Sequence, residues 1–245
     1  MKTAIIIPAR LGSTRLPRKP LHMIAGMTLI ERVYRQCKQA EGIDMVFIAT
    51  DSDLVTKHVN GFGAGAIMTP EDCANGTERV AYAAKHLAED FELVINVQGD
   101  EPLIEASVIE RLAKAFDDTN VMIATPISPI VNIHDIQNPN IVKVVIDLKD
   151  NVLYFSRSAI PHKRESLDAD HTYWRHIGLY AFRRQILEEL RHLPHSELEE
   201  IEKLEQLRWL YHGYKIRATR VENASIEVNT EEDVKKVEEI LKNKL

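Results

Sequence analysis

Arg10, Arg15, Arg18 and Lys19 occupy one loop directly behind the apolar run Ala4-Ile5-Ile6-Ile7. In a chain of net charge -6, four cations so close together make a local site for an anion. A polyphosphate is the ligand that uses so many at once. Two further apolar runs, residues 45–49 and 93–97, end on Thr50-Asp51 and on Gln98-Gly99-Asp100-Glu101-Pro102. Asp100, flanked by Gly99 and followed by Pro102, is the candidate Mg²⁺ ligand, because a hard cation bound to phosphates takes one or two protein carboxylates. For Asp51, before a helical pattern, the expectation is a helix cap. Cations for phosphates and a carboxylate for a metal describe a nucleoside-triphosphate site. It is not a Walker loop, since no G-x-x-x-x-G-K-[ST] occurs. The competing reading of the cations, a solvated loop with surface ion pairs, is disfavoured by their clustering at a strand end.

These groups need elements that bring them together. The run at residues 4–7 reads as a strand buried on both faces, as do 45–49 and 93–97, with a shorter strand at 66–68. Helical patterns lie between them at 29–39, 53–60 and from 77, and Thr28 with Glu31 forms a capping-box pattern. The alternation predicts an α/β fold, a doubly wound and mostly parallel sheet that presents its strand ends along one crevice. Residues 122–127, 141–147 and 152–155 are strand-like without long helices between them, and Lys149-Asp150-Asn151 reads as a hairpin turn. Residues 160–173 read as a polar loop or arm, and 176–182 as a further strand. We expect one domain over residues 1–245, with 122–182 as an antiparallel extension. A terminal amphipathic helix from Thr230 carries Val234, Val237, Ile240 and Leu241 on one face, capped by Thr230 and Asp233.

Composition excludes several classes. With 44% hydrophobic and 28% charged residues the chain is of ordinary globular type. The acidic balance argues against nucleic acid as a partner. Two cysteines, Cys37 and Cys73, outside any C-x-x-C pair, argue against a disulfide framework or structural zinc. No run approaches the ~18 apolar residues of a membrane span, and too few apolar residues precede Arg10 for a signal-peptide core. No membrane association and a cytoplasmic location are expected.

Some residues read two ways. Arg157, after a strand, can clamp a carboxylate with its fork or serve a structural ion pair. His176 beside Arg175 is a site residue or a satisfied core histidine. In a helix read through residues 197–211, Leu198, Ile201, Leu204, Leu207 and Tyr211 share a face. At about 100° per residue Arg208 falls within that face and Glu205 at its edge. The two suit either an internal i, i+3 salt bridge or a site facing sugar hydroxyls. His192 and His195 are no metal pair, because Pro194 between them prevents helical spacing.

The motifs taken together resemble those of the sugar-acid cytidylyltransferases, which couple CTP to a sugar acid. Pro8-Ala9-Arg10, Ser13-Thr14-Arg15-Leu16-Pro17 and Lys19-Pro20-Leu21 are similar to the family's opening motif. Asn75-Gly76-Thr77-Glu78-Arg79 is similar to its S-G-T-E-R segment for cytosine and ribose, and Asn96-Val97-Gln98-Gly99-Asp100-Glu101-Pro102 to its metal loop. Leu153-Tyr154-Phe155-Ser156-Arg157 with Ile160-Pro161, Arg175-His176-Ile177-Gly178-Leu179-Tyr180, and Leu204-Glu205-Gln206-Leu207-Arg208 resemble its sugar-acid segments.

The resemblance implies a nucleotide-diphospho-sugar transferase-like fold and CMP transfer from CTP to the anomeric hydroxyl of an eight-carbon sugar acid, Kdo, releasing pyrophosphate, for lipopolysaccharide biosynthesis. It implies Pro8, Ala9, Arg10, Ser13, Arg15, Lys19, Asn75, Gly76, Thr77, Arg79 and Gln98 as CTP-binding residues, with Arg10, Lys19 and Asp100 catalytic. It assigns Arg157, His176, Tyr180, Glu205 and Gln206 to the sugar acid. Asp100 and position 229 are implied as ligands of Mg²⁺, or Mn²⁺, and the middle section as a homodimer interface.

One position departs from the pattern. The family ends with G-V-D-T-x-E-D, whereas this chain has Glu227-Val228-Asn229-Thr230-Glu231-Glu232-Asp233. Asn229 brings an amide oxygen without charge, so a higher metal requirement or a preference for Mn²⁺ is expected. Glu227, two residues earlier, can restore the lost charge. Ser225-Ile226-Glu227 also resembles variants acting on 8-amino-Kdo, so that analogue stays open as acceptor. So do an acylneuraminate and a non-catalytic CTP-binding role.

Overall fold

The computed structural model describes residues 1–13, 15–164 and 171–243. Thr14 of the opening motif and residues 165–170 of the expected arm lie outside the described residues. Two compact units are present, Met1–Ala113 with Ser225–Leu245, and Lys114–Ala224. The second is wider than the extension expected at residues 122–182.

In the first unit, β1 (Lys2–Ala9) is followed in the chain by the short hairpin β2 (Met23–Ile24) and β3 (Met27–Thr28), then α1 (Leu29–Cys37), β4 (Met45–Thr50), α2 (Asp53–Gly61), β5 (Gly65–Met68), α3 (Gly76–Ala84), β6 (Phe91–Asn96) and α4 (Ala106–Lys114). β1 pairs in parallel with β4 on one side and β6 on the other, and β4 pairs in parallel with β5. Ile5, Ile6 and Ile7 have no accessible surface, as a central strand covered on both faces requires. The chain runs from β1 outward to β4 and β5, then returns to the opposite side as β6. Strand order therefore reverses at β1, and ligands of open parallel sheets bind at the carboxyl ends beside such a reversal.

The helix starts differ from expectation in two places. Thr28 occupies the cap position of α1, but its hydroxyl meets His58 Nε2 at 2.8 Å and makes no cap hydrogen bond. Asp51 does not cap α2. Ser52 does, accepting from Val55 N–H at 3.5 Å, which leaves Asp51 for another partner. Asn75 caps α3, its Oδ1 accepting from Glu78 N–H at 2.8 Å.

In the second unit β7 (Ile123–Pro129) is central. After it come α5 (Ile133–Gln137), β8 (Lys143–Ile146), β9 (Val152–Ser156), β10 (Trp174–His176), β11 (Tyr180–Arg183), α6 (Arg184–Arg191), α7 (Glu197–Glu202), α8 (Gln206–Tyr211) and β12 (Ile216–Arg220). β7 pairs antiparallel with β10 and β11 and parallel with β12, while β8 pairs antiparallel with β9 and β10. The β8–β9 turn matches its expectation: Asp150 has φ 59°, and the Asp147 carboxylate accepts from the N–H groups of Lys149 and Asn151. The strand expected at 176–182 is two strands. Thr125 Oγ1 holds the interruption, reaching Leu179 O at 2.7 Å. The single helix expected at 197–211 is also two, broken where Lys203 turns left-handed at φ 53°. The chain ends in the first unit with α9 (Glu231–Asn243), and the Asp233 carboxylate accepts from Thr230 N–H at 2.9 Å, the expected cap.

Candidate active site

The carboxyl ends of β1 and β6 open into a cavity of about 400 Å³. Pro8, Ala9, Arg10, Ser13, Arg15 and Lys19 enter its wall from the first strand end, Asn75, Gly76 and Arg79 from the start of α3, and Gln98, Asp100 and Asn229 also line it. Buried Leu16 and Pro20 anchor the loop. Arg10, Arg15 and Lys19 line the opening, whereas Arg18, the fourth cation of the loop, is exposed and lies outside the cavity wall. Two glycines are set by close approach. A Cβ on Gly99 would stand 2.7 Å from Pro8 O, and one on Gly76 3.1 Å from Gln98 Oε1. At Gly99 the obstacle is backbone and cannot yield easily, whereas at Gly76 it is the end of the Gln98 side chain, which a Cβ would push from its place against the wall.

Charge converges on one point of this wall. Lys19 Nζ lies 2.6 Å from Asp100 Oδ2 and 3.0 Å from Asn229 Oδ1, and Arg15 Nη2 donates to the same amide oxygen at 3.1 Å. The backbone behind it is fixed: Val228 N–H donates to Asp100 O at 2.9 Å and Asn229 N–H to Asp233 Oδ2 at 3.0 Å. Glu101, almost fully buried, accepts from the Ser225 hydroxyl.

Two residues expected on CTP are engaged otherwise. Arg79 touches the cavity but is only 3% exposed. Its guanidinium donates to Asp51 Oδ2 at 2.7 Å, to the Thr69 hydroxyl and to Pro70 O. This ion pair, not a cap, is what Asp51 does. Thr77 is buried behind the wall, its hydroxyl accepting from Asn96 Nδ2 at 3.3 Å, and Asn96 Oδ1 accepts from Gln98 Nε2 at 3.2 Å. Through that chain Thr77 orients Gln98.

In the second unit, the sugar-acid assignments meet mostly protein partners. Arg157 Nε donates to Glu202 O at 2.7 Å and Nη1 to Pro139 O at 2.9 Å, so its fork holds main-chain carbonyls in place of the expected carboxylate. His176 packs against Phe155 and Tyr180 at 4.9 and 5.4 Å between ring centres. Burial, with the Arg175 charge beside it, pushes its pKa down to about 3, so the ring is neutral. The Thr125 hydroxyl has one hydrogen, directed to Leu179 O, and so accepts at 3.0 Å from His176 Nε2–H. Tyr180 is an enclosed aromatic, its hydroxyl pKa raised by burial and by the Glu205 charge. Glu205 stands at the cap position of α8. Gln206 is 2% exposed, and its Nε2 has no hydrogen-bond partner among the described residues. Arg208, read as the partner of Glu205, pairs with Glu199, Nε to Oε2 at 2.7 Å. The break at Lys203 folds α8 back onto α7 and makes that pairing possible.

A family model described as cytidylyltransferase matches residues 4–216. The chain belongs to the cytidylyltransferase family. It is 47% identical over 248 residues to a 3-deoxy-manno-octulosonate cytidylyltransferase of Chloroherpeton thalassium, covering 100% of both chains. It is 44% identical over 241 residues to that of Myxococcus xanthus, covering 98% of this chain and 97% of the relative. A solved CMP:2-keto-3-deoxy-manno-octonic acid synthetase complexed with CTP superposes with a TM-score of 0.95 at 38% identity, over 100% of both chains. A 4-diphosphocytidyl-2C-methyl-D-erythritol synthase from Anaerococcus prevotii, at 14% identity and TM-score 0.66, shares the fold. The expected α/β class thus holds, and the chain is a nucleotidyltransferase.

Among the described residues of this cytidylyltransferase no cluster of three or more His, Cys, Asp or Glu could hold a metal. Asp100 and Asn229 instead offer two oxygens that converge on one cation, the Lys19 ammonium. That donor set fits a hard divalent ion completing its shell with phosphate oxygens and water. Sequence reading missed Cys73 and Ala74 in the cavity wall; neither carries a chemical signal beyond adjacency to Asn75.

Proposed function

We propose that this chain transfers CMP from CTP to the anomeric 2-hydroxyl of Kdo, releasing pyrophosphate. The observation that carries the reading is the Lys19–Asp100–Asn229–Arg15 convergence at the switch point of a parallel sheet. The identity to relatives named as 3-deoxy-manno-octulosonate cytidylyltransferases, over 98–100% of the chain, supports the acceptor.

Arg10, Arg15 and Lys19 bind the triphosphate and neutralise charge that builds on it as the leaving pyrophosphate departs. Such fixed charges at a pre-formed site contribute most where the transferred group offers little covalent chemistry. Gln98, held by Asn96 and Thr77, and Asn75 with Gly76 form the opposite wall and orient the nucleoside. The ammonium of Lys19 is held by Asp100 and Asn229, so an entering phosphate competes with those oxygens for it. Asp100 and Asn229 would hold Mg²⁺, or Mn²⁺, which supplies Lewis-acid polarisation of phosphate oxygens and lowers the pKa of the attacking hydroxyl. Gln206, with a buried amide nitrogen to offer, is the donor we assign to a sugar oxygen. A homodimer in the cytoplasm, making the activated sugar of lipopolysaccharide, completes the proposal. Among the described residues, no helix is long and apolar enough to cross a membrane.

The test is pyrophosphate release from CTP with Mg²⁺ or Mn²⁺, across Kdo, 8-amino-Kdo and N-acetylneuraminate. Turnover with Kdo is expected. Turnover confined to another acid would replace the acceptor, and CTP binding without pyrophosphate release under every combination would leave a regulator.

A further inference from the structure

Asn229 has a problem that a carboxylate lacks. Its amide ends in one oxygen and one nitrogen, and only the oxygen can ligate a cation. Oδ1 accepts from Lys19 at 3.0 Å and Arg15 at 3.1 Å, while Nδ2 donates to Glu227 Oε2 at 3.3 Å. All three partners select one orientation. Turned over, Nδ2 would face an ammonium and a guanidinium, and Oδ1 would face a carboxylate. Lys19 and Arg15, however, are the cations that a triphosphate draws on. Once they engage phosphate, Glu227 is the member of the three that still tells the two ends of the amide apart. The backbone around it is already fixed by Val228 N–H on Asp100 O and Asn229 N–H on Asp233. Side-chain rotation is the main freedom left.

We infer that Glu227 is a positioning residue that holds the amide oxygen of Asn229 toward Asp100, so that a neutral side chain serves as a divalent-cation ligand. This rests on the metal reading of the proposed function. It differs from a role for Glu227 as a ligand or as a mere source of negative charge, and the variants separate these. Partners that orient a metal ligand typically change metal affinity by about 10–100-fold, and the exposure of Glu227 puts it at the low end.

The experiment is Mn²⁺ binding to the full chain with saturating CTP, followed by the electron paramagnetic resonance signal of free Mn²⁺. Glu227→Ala should weaken binding by about tenfold. Glu227→Gln should recover part of that loss, because its carbonyl can still accept from Nδ2. In the Asn229→Asp background, Glu227→Ala should change binding by less than about twofold, since a carboxylate presents oxygen either way. Equal losses for the Ala and Gln variants would reduce Glu227 to its charge. An undiminished loss in the Asn229→Asp background would make it a ligand or a field effect. Either result overturns the inference. A wild-type chain that takes up no Mn²⁺ with CTP would instead remove the metal reading itself, and this inference with it.

Discussion

The nucleotide cradle of the first unit and the cation-rich region of the second use the same residue types to opposite ends. In the cradle, Lys19 and Arg15 lean on Asp100 and Asn229, side chains on the wall of an open cavity. These partners are exchangeable, because an entering anion can compete for the same donors. In the second unit, Lys143 has no accessible surface and donates to three main-chain carbonyls, of Asn138, Ile141 and Arg157, at 2.6 to 2.9 Å. Burial, and then the neighbouring Arg157 charge, lowers its pKa. Arg157 likewise holds carbonyls, and Arg208 holds Glu199. A cation satisfied by backbone is a structural tie. A cation satisfied by side chains on a cavity wall, where an anion can compete for it, is a site.

That contrast can be broken. The largest effect is expected for Asp100→Ala, which should lower turnover by at least about 10³-fold with an unchanged circular dichroism spectrum. Substantial activity would take Asp100 out of the cradle's chemistry. Lys19→Ala should cost about 10²-fold in kcat with the sugar-acid KM unchanged, and steady-state kinetics showing a KM effect alone would contradict its place on the triphosphate. Arg157→Ala should destabilise the chain by about 2 kcal/mol in urea titrations while calorimetric CTP affinity stays as in the wild type. Unchanged stability with a raised sugar-acid KM would move Arg157 to the exchangeable class and reverse the contrast for the second unit.

The smallest effect concerns His176. Its pKa falls from 6.5 to about 3 in the folded chain. Between these values the unfolded state binds a proton that the native state refuses, so stability rises with pH. The contribution is fully present above pH 6.5 and is lost progressively toward pH 3. Thermal melts across that window should show a shallower pH slope for His176→Gln than for the wild type.

The parallel strands were legible because a strand covered on both faces must be apolar at successive positions, as residues 4–7, 45–49 and 93–97 are. Their order and the polar residues at their ends pointed to the cavity. Partners were less legible. Arg79 and Arg15 look alike in sequence, yet one meets Asp51 across 28 positions and the other Asn229 across 214. The break in the helix expected at 197–211 is hidden because the apolar spacing continues through Lys203, where the backbone turns left-handed without a glycine to announce it.

By itself the sequence determined the α/β class, the switch-point loop and the kinds of group gathered there, since those follow from short-range periodicity and local spacing. Only the tertiary structure decided which of those groups have exchangeable partners. Whether a charge is available depends on what lies within about 3 Å of it, and that distance is set between segments far apart in the chain.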